Sequence, residues 1–306
     1  MKSIFKKLKL NLASPFWVTT IPFGWLLLFF LIPFLIVLKI SFSDLKFGLP
    51  PYAPLMEWTS EGLLIIKINL TNYTFIGTDS LYLFAYLDSL AIALLGTIGC
   101  LCIGYPMAYG IAKASPSKRT ILLMLVILPF WTSFLLRVYA WIGILSPQGY
   151  INNLLINLGL ISTPLSLIDN TFATVLGIIY CYLPFMILPL YAFLEKIDYA
   201  LLEAAYDLGA RPFQAFIRII WPLSRPGVIA GSLLVFIPAV GEFVIPELLG
   251  GSQTLMIGKV IWNEFFTNRT WPVAAALAVI MLVFLILPIA IFQRYQEQRV
   301  RFLDAE

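Results

Sequence analysis

The stretch KIDYALLEAAYDLGARPFQAFIRIIWPL, Lys196 to Leu223, decides how the chain folds, because it is the polar interruption between two long apolar runs. Asp198 suits a helix N-cap, and Ala200 to Leu208 is built of helix formers. Gly209 supplies the left-handed residue that closes such a helix. Pro212 fits the first turn of a second helix, where its missing N–H costs little. Phe213, Phe216, Ile217 and Ile220 recur at helical spacing, which predicts one apolar face on a short surface helix made to dock. The bland alternative is an amphipathic loop lying on a membrane surface with no protein partner.

Outward from this segment the sequence is almost wholly apolar. Of 306 residues, 60% are hydrophobic and 12% charged, and the mean hydropathy is +0.92. A bilayer core needs about 20 apolar residues of helix to cross it. Six runs reach that length, near Phe16–Ile40, Phe84–Ala112, Thr120–Leu145, Phe172–Leu194, Gly227–Gly250 and Trp271–Phe292. The expected fold is therefore all-α and polytopic, with about six transmembrane helices. The first run is too long for a signal-peptide core and lacks a small-residue cleavage site, so it is expected to be a retained anchor.

Basic residues mark the cytoplasmic loops. Lys2, Lys6, Lys7 and Lys9 precede the first run, and Lys113, Lys118 and Arg119 follow the second. Lys196, Arg211, Arg218 and Arg225 follow the fourth, and Arg294, Arg299 and Arg301 follow the sixth. The other side holds Lys39, Lys46, Lys67, Lys259 and Arg269. This alternation predicts that both termini are cytoplasmic. It divides the chain into a basic N-terminal segment (1–15), a transmembrane domain (16–293) with an external loop at about 41–83 and a cytoplasmic loop at about 195–226, and a cytoplasmic tail (294–306). Pro50, Pro51 and Pro54, with Trp58, Tyr73 and Phe75, predict that the external loop is an ordered cap. The net charge of +4 comes from these flanks; anionic lipid accounts for it, and no nucleic-acid partner is implied.

Several functions lose support. The chain has no histidine, which removes a histidine base and histidine metal ligands. Cys100, Cys102 and Cys181 lie in apolar runs without metal-ligand spacing, and are expected to be buried, reduced and hydrophobic. There is no Gly-x-Ser-x-Gly, HExxH or Walker A pattern. The expectation is a chain that is not an enzyme, with no catalytic residue, bound metal or cofactor of its own. A passive channel remains open, but has no use for a docking loop.

Ionisable groups inside apolar runs are costly and mark candidate functional positions. Asp88, Arg137 and Glu242 stand out. At about 1.5 Å per residue, Arg137 falls about 25 Å along the third run and Glu242 about 22 Å along the fifth, with Asp88 entering from the other side to a similar depth. Two carboxylates and one guanidinium would leave one negative charge for a passing cation to neutralise. The structural alternative is that Arg137 and Glu242 simply pair. Pro238, Gly241 and Pro246 predict a broken helix around Glu242, tolerated only where it faces protein or water. Glu247 lies near the outer surface. Phe130, Trp131, Tyr139 and Trp141 could attract a cation through their ring faces, or serve as interfacial belt and packing.

Glu203-Ala204-Ala205, then Gly209, Ile219 and Pro222, resembles the EAA loop of ABC importer permeases, EAA-x3-G-x9-I-x-L-P, with Trp221 in place of the usual Leu. The stretches Ile127–Trp141, Leu183-Pro-Phe-Met and Val235–Gly251 resemble the spermidine/putrescine permease subunits. The resemblance implies a type I ABC importer permease fold in a bacterial inner membrane, with Glu203, Ala204, Ala205, Gly209, Ile219 and Pro222 coupling to an ATPase. It further implies a second homologous permease, a homodimeric cytoplasmic ATPase that uses ATP and Mg, and a periplasmic polyamine-binding protein. A permease of the same architecture for another small solute, an anion or a sugar, is the alternative. An anion path should expose more basic residues than Arg137.

Overall fold

The computed structural model describes residues 15–58, 64–198, 200–252 and 254–303; most of the basic N-terminal segment and the last three residues lie outside them. The chain divides into two compact units. One comprises the N-terminal part to Thr78 with Glu264–Ile280, the other Asp79–Asn263 with the part from Met281 onward.

In the first unit, α1 (Pro15–Leu26) and α2 (Ile32–Ser41) join through a π turn at Leu27–Leu31. From Thr19 to Ser41 they make a largely apolar span of 23 residues, none of whose side chains is buried in the most apolar stretch. A helix apolar on every side is at home in lipid or against another subunit. The described residues that follow Ser41 are tied together by hydrogen bonds. Asn72 Nδ2 donates to the carbonyls of Ser41 (3.0 Å) and Ser43 (2.9 Å), and the Ser41 and Tyr73 hydroxyls share a hydrogen bond of 2.7 Å. Strands β1 (Met56–Trp58) and β2 (Leu64–Ile66) pair antiparallel, with Glu57 opposite Ile65. Helix α3 (Thr71–Thr78) follows. Among the described residues this ribbon is the one sheet in an otherwise largely helical chain.

The second unit is built on three helices: α4 (Ser80–Lys113), α8 (Thr171–Leu194) and α11 (Trp221–Val240). Asp79 Oδ1 caps α4 by accepting from Leu81 N (2.9 Å), and Asn170 Oδ1 caps α8 by accepting from Ala173 N (2.9 Å). Small residues let the three approach closely, the usual device where lipid offers no hydrophobic drive. A Cβ on Gly96 would stand 2.6 Å from Ile178, and one on Gly231 would stand 2.9 Å from Met186 Sδ. Cys100 and Cys181 are buried in this packing, but Cys102 is exposed, contrary to expectation; all three thiols are free.

Two expected spans are not straight rods. The third run divides into α5 (Pro116–Ile127), a 3-10 turn at Leu128–Trp131, and α6 (Phe134–Leu145), with a bend of 89°. Pro129 cannot donate to the helix ladder, and Thr132 turns extended at ψ 150°, so the helix cannot continue. Helix α7 (Tyr150–Asn157) follows, and Asn152 fixes the loop beyond it through Ser146 and both backbone groups of Leu165. The fifth run is helical from Pro212 to Val240, breaks at Gly241–Phe243, and resumes as α12 (Val244–Leu249). Helix α13 (Ile257–Trp262) comes next, its first turn held by Ile257 N donating to Ser89 Oγ at 2.6 Å.

Among the described residues, four helices are long and apolar enough to span, or five with the bent pair counted as one. The sixth run opens α14 (Trp271–Leu303), whose described apolar part, Trp271–Ile286, is shorter than a span. Each of the six expected runs is thus helical over much of its described length, the third bent and the fifth broken at Gly241–Phe243.

Candidate functional site: a docking loop and a buried charge cluster

Lys196 to Leu223 folds as two short helices about a glycine. Helix α9 (Ala200–Asp207) starts with Asp198 Oδ1 accepting from Ala200 N at 3.0 Å. It ends with Gly209 at φ +81° and with Ala210 N donating to Ala205 O at 3.0 Å, a glycine-closed C-terminus. Helix α10 (Pro212–Ala215) begins with Pro212, and Gln214 Oε1 accepts from Arg211 N. A π turn at Phe216–Ile220 carries the chain into α11.

The apolar residues of this segment divide between two environments instead of forming one face. Phe216 and Ile220 turn inward, where Phe216 meets Tyr105 and Tyr109 edge-on at 5.6 and 5.8 Å. Phe213 (73% exposed), Leu208 (89%) and Ile217 turn outward, beside exposed Glu203 and Ala204. On a helical wheel Phe216 and Ile220 lie on one edge of the stripe and Phe213 and Ile217 on the other, so the boundary of the packed surface runs along the stripe. Ala205, Ile219 and Pro222 are half-buried, and Ala205 packs on the core. The outward residues include Glu203, Ala204, Leu208, Phe213 and Ile217, with Asp207, Arg211 and Arg218 also exposed, so the surface mixes apolar side chains with charges of both signs.

This patch stands on a tied platform. Tyr105 and Ser224 share a hydrogen bond of 2.8 Å that joins α4 to the start of α11. Arg119 Nη1 donates to Glu195 Oε1 at 2.6 Å and Nη2 to Ala112 O at 2.9 Å, so one guanidinium holds the ends of α4 and α8 together. A cation at two helix C-termini suits their dipoles. Charge counting gave Arg119 only a topological role, and nothing in sequence pointed to Tyr105 or Ser224.

Within the apolar part, Glu242 sits in the break between α11 and α12, 8% exposed. Its Oε1 accepts from Phe243 N (3.1 Å) and Val244 N (2.9 Å), and Tyr182 donates its hydroxyl to Oε2. From one residue before the N-cap, Phe243, the carboxylate thus covers the first amides of α12. Gly258 lies against the break, and a Cβ there would meet Glu242 O at 2.6 Å.

Arg137, also 8% exposed, lies in the first turn of α6. Its guanidinium stacks over Phe130 (5.2 Å) and Phe134 (5.6 Å), while Nε and Nη1 are buried without an acceptor. It forms no ion pair with Glu242, so the simple structural pairing is not present in this conformation. The two nevertheless lie on packed elements, since α6 packs on α12. Phe130 meets Phe185 at 5.2 Å, and Phe185 meets Tyr182 at 6.0 Å, completing the chain of contacts between them.

Asp88 does not join the cluster; it is exposed on α4 beside buried Ser89. Trp131 (84% exposed) and Tyr139 are also exposed, and Trp141 packs edge-on against Tyr180 at 5.5 Å. Glu247 is half-solvated and pairs with Lys259 Nζ at 3.1 Å. The residue that sequence reasoning missed is Tyr182, whose one signal is its place beside Leu183-Pro184.

A docking loop on a small-residue helix core, with broken helices at membrane depth, defines the membrane half of a solute importer. The chain belongs to the family described as binding-protein-dependent transport system inner membrane component, which matches residues 100–302. It is 41% identical over 284 residues to the spermidine/putrescine transport system permease protein PotB of Haemophilus influenzae, covering 93% of this chain and 94% of that protein. The PotB of Escherichia coli is 41% identical over 273 residues, covering 89% and 94%. Among solved structures, a chain of a bacterial ABC transporter involved in the import of the acidic polysaccharide alginate superposes with a TM-score of 0.63 at 20% identity, covering 95% of this chain and 99% of that one. The fold is that of ABC importer permeases, and the chain is a multi-pass inner-membrane protein.

Proposed function

We propose that this chain is one permease half of an ATP-driven polyamine importer, carrying putrescine or spermidine inward by alternating access. The observation that carries this is the Lys196–Leu223 segment, whose exposed Glu203, Ala204, Leu208 and Phe213 stand on a platform tied to α4 and α8. A rigid patch of this kind transmits a push from a partner to the helices that carry it. The similarity to two proteins named for spermidine/putrescine transport gives the substrate class.

In this reading both termini and the loop are cytoplasmic, and the loop sits in a cleft of a homodimeric ATPase. That partner binds and hydrolyses ATP with Mg. A second, homologous permease completes the pathway, and a periplasmic binding protein delivers the polyamine. Asp88, Trp131, Arg137, Tyr139, Trp141, Glu242 and Glu247 are pathway candidates. Aromatic rings and carboxylates suit a polyammonium chain, whose charges gain from ring faces about 0.5–2 kcal/mol each.

The test is uptake of labelled putrescine and spermidine by liposomes that contain the assembled importer. ATP-dependent accumulation of either supports the proposal. Accumulation of an acidic or neutral sugar instead would transfer the same machinery to the substrate class of its structural neighbour.

A further inference from the structure

We infer that Arg137 and Glu242 are the two halves of a latch, apart in the conformation described and joined in another, and that joining them releases the amino end of α12. The inference deepens the importer proposal and rests on its two-state cycle. Arg137 is buried, its guanidinium is held over Phe130 and Phe134, and Nε and Nη1 find no acceptor. A buried guanidinium left unpaired is costly, and costlier in a membrane interior. Such a group persists when another state of the protein satisfies it.

The nearby group able to do so is Glu242, which here is fully engaged elsewhere. Its Oε1 caps the N–H groups of Phe243 and Val244, and its Oε2 accepts from Tyr182. A bridge to Arg137 would bring an ionised donor to a carboxylate whose present bonds are charge-assisted on the acceptor side alone, but it would cost α12 its cap. The two arrangements therefore compete for one carboxylate, and neither satisfies every group. That competition makes the element bistable.

The placement makes the exchange short. Arg137 lies just past the 89° bend between α5 and α6, and Glu242 lies at the break between α11 and α12. Each joint is where its span can pivot, and α6 packs directly on α12. The α11 side of the second joint leads back without interruption to the docking loop, since the chain is helical from Pro212 to Val240. Movement of the loop is thereby delivered to the residue that chooses between cap and bridge.

The test keeps both charges in place and reports on the helices beside them. In a chain whose native cysteines are replaced by alanine, thiols are placed at Leu136 and Phe243. The chain is assembled with its second permease and ATPase in liposomes, and a short bifunctional thiol reagent measures their approach with no nucleotide and with ATP plus vanadate. The same pair is read with Arg137→Gln and with Glu242→Gln. Gln at 242 still offers an oxygen to the α12 amides, so it removes the bridge and leaves a cap.

A latch predicts that nucleotide changes the cross-linking yield of the parent about fivefold or more, the lower range for coupled sites, and that either substitution abolishes the change. A nucleotide-dependent change that survives Arg137→Gln overturns the latch. So does an unchanging yield in a parent that takes up polyamine, which leaves the importer standing. A parent that shows the Arg137-dependent change but takes up no polyamine supports the latch and removes the polyamine assignment.

Discussion

Replacing Gly209 gives a graded series whose size can be worked out before the experiment. Gly209 holds φ +81°, and a Cβ built there meets no atom within 4 Å. The cost of a side chain is therefore conformational and not steric. An L-residue in this region loses about 1–2 kcal/mol. A β-branched residue is a sharper misfit there, while asparagine tolerates the region better. Since 1.4 kcal/mol is a factor of ten, Gly209→Ala lowers the population of the docking conformation by about five- to thirtyfold. Gly209→Val lowers it further, and Gly209→Asn lowers it least. The rest of the second unit keeps its helix packing. ATP-dependent uptake in liposomes should therefore fall in the order Asn, Ala, Val, with protein level and thermal midpoint in detergent nearly constant. Wild-type uptake with valine would refute the reasoning, as would equal loss with asparagine and valine.

Other variants test the parts that hold the loop and the cluster in place. Tyr182→Phe removes the side-chain donor to Glu242 Oε2 and should lower stability by about 1–3 kcal/mol, seen as a drop in thermal midpoint. Ser89→Ala leaves Ile257 N without the hydroxyl it donates to; a loss of similar size is expected, about 1–3 kcal/mol, measured the same way. Gly231→Leu drives a side chain into Met186 and should cost about 1–3 kcal/mol or more by overpacking. Gly24→Leu, where a Cβ meets nothing within 4 Å, should leave the thermal midpoint unchanged.

How much of this was legible in sequence differs from element to element. The two-helix loop was legible because Asp198, Gly209 and Pro212 act through local backbone chemistry. The break at Glu242 was legible for the same reason, from Pro238, Gly241 and Pro246. Depth counting brings Arg137 and Glu242 to neighbouring elements, and α6 does pack on α12; it says nothing of helical phase, which leaves Asp88 on the exposed side of α4. The apolar stripe at Phe213–Ile220 is split because the boundary of packing runs along it, with Phe216 and Ile220 inside and Phe213 and Ile217 outside, and periodicity alone does not locate that boundary. Tyr182 lies 60 residues from Glu242 in the chain, and no local pattern encodes such a pairing.

The central claim is that the Lys196–Leu223 loop couples an ATPase to polyamine movement through this chain. The most direct measurement is accumulation of labelled putrescine and spermidine in liposomes carrying the assembled importer, comparing the wild-type chain with Gly209→Val. The account predicts ATP-dependent accumulation that collapses with valine while the protein remains assembled in the membrane. Accumulation that ignores ATP, or that persists undiminished with valine at position 209, would contradict it.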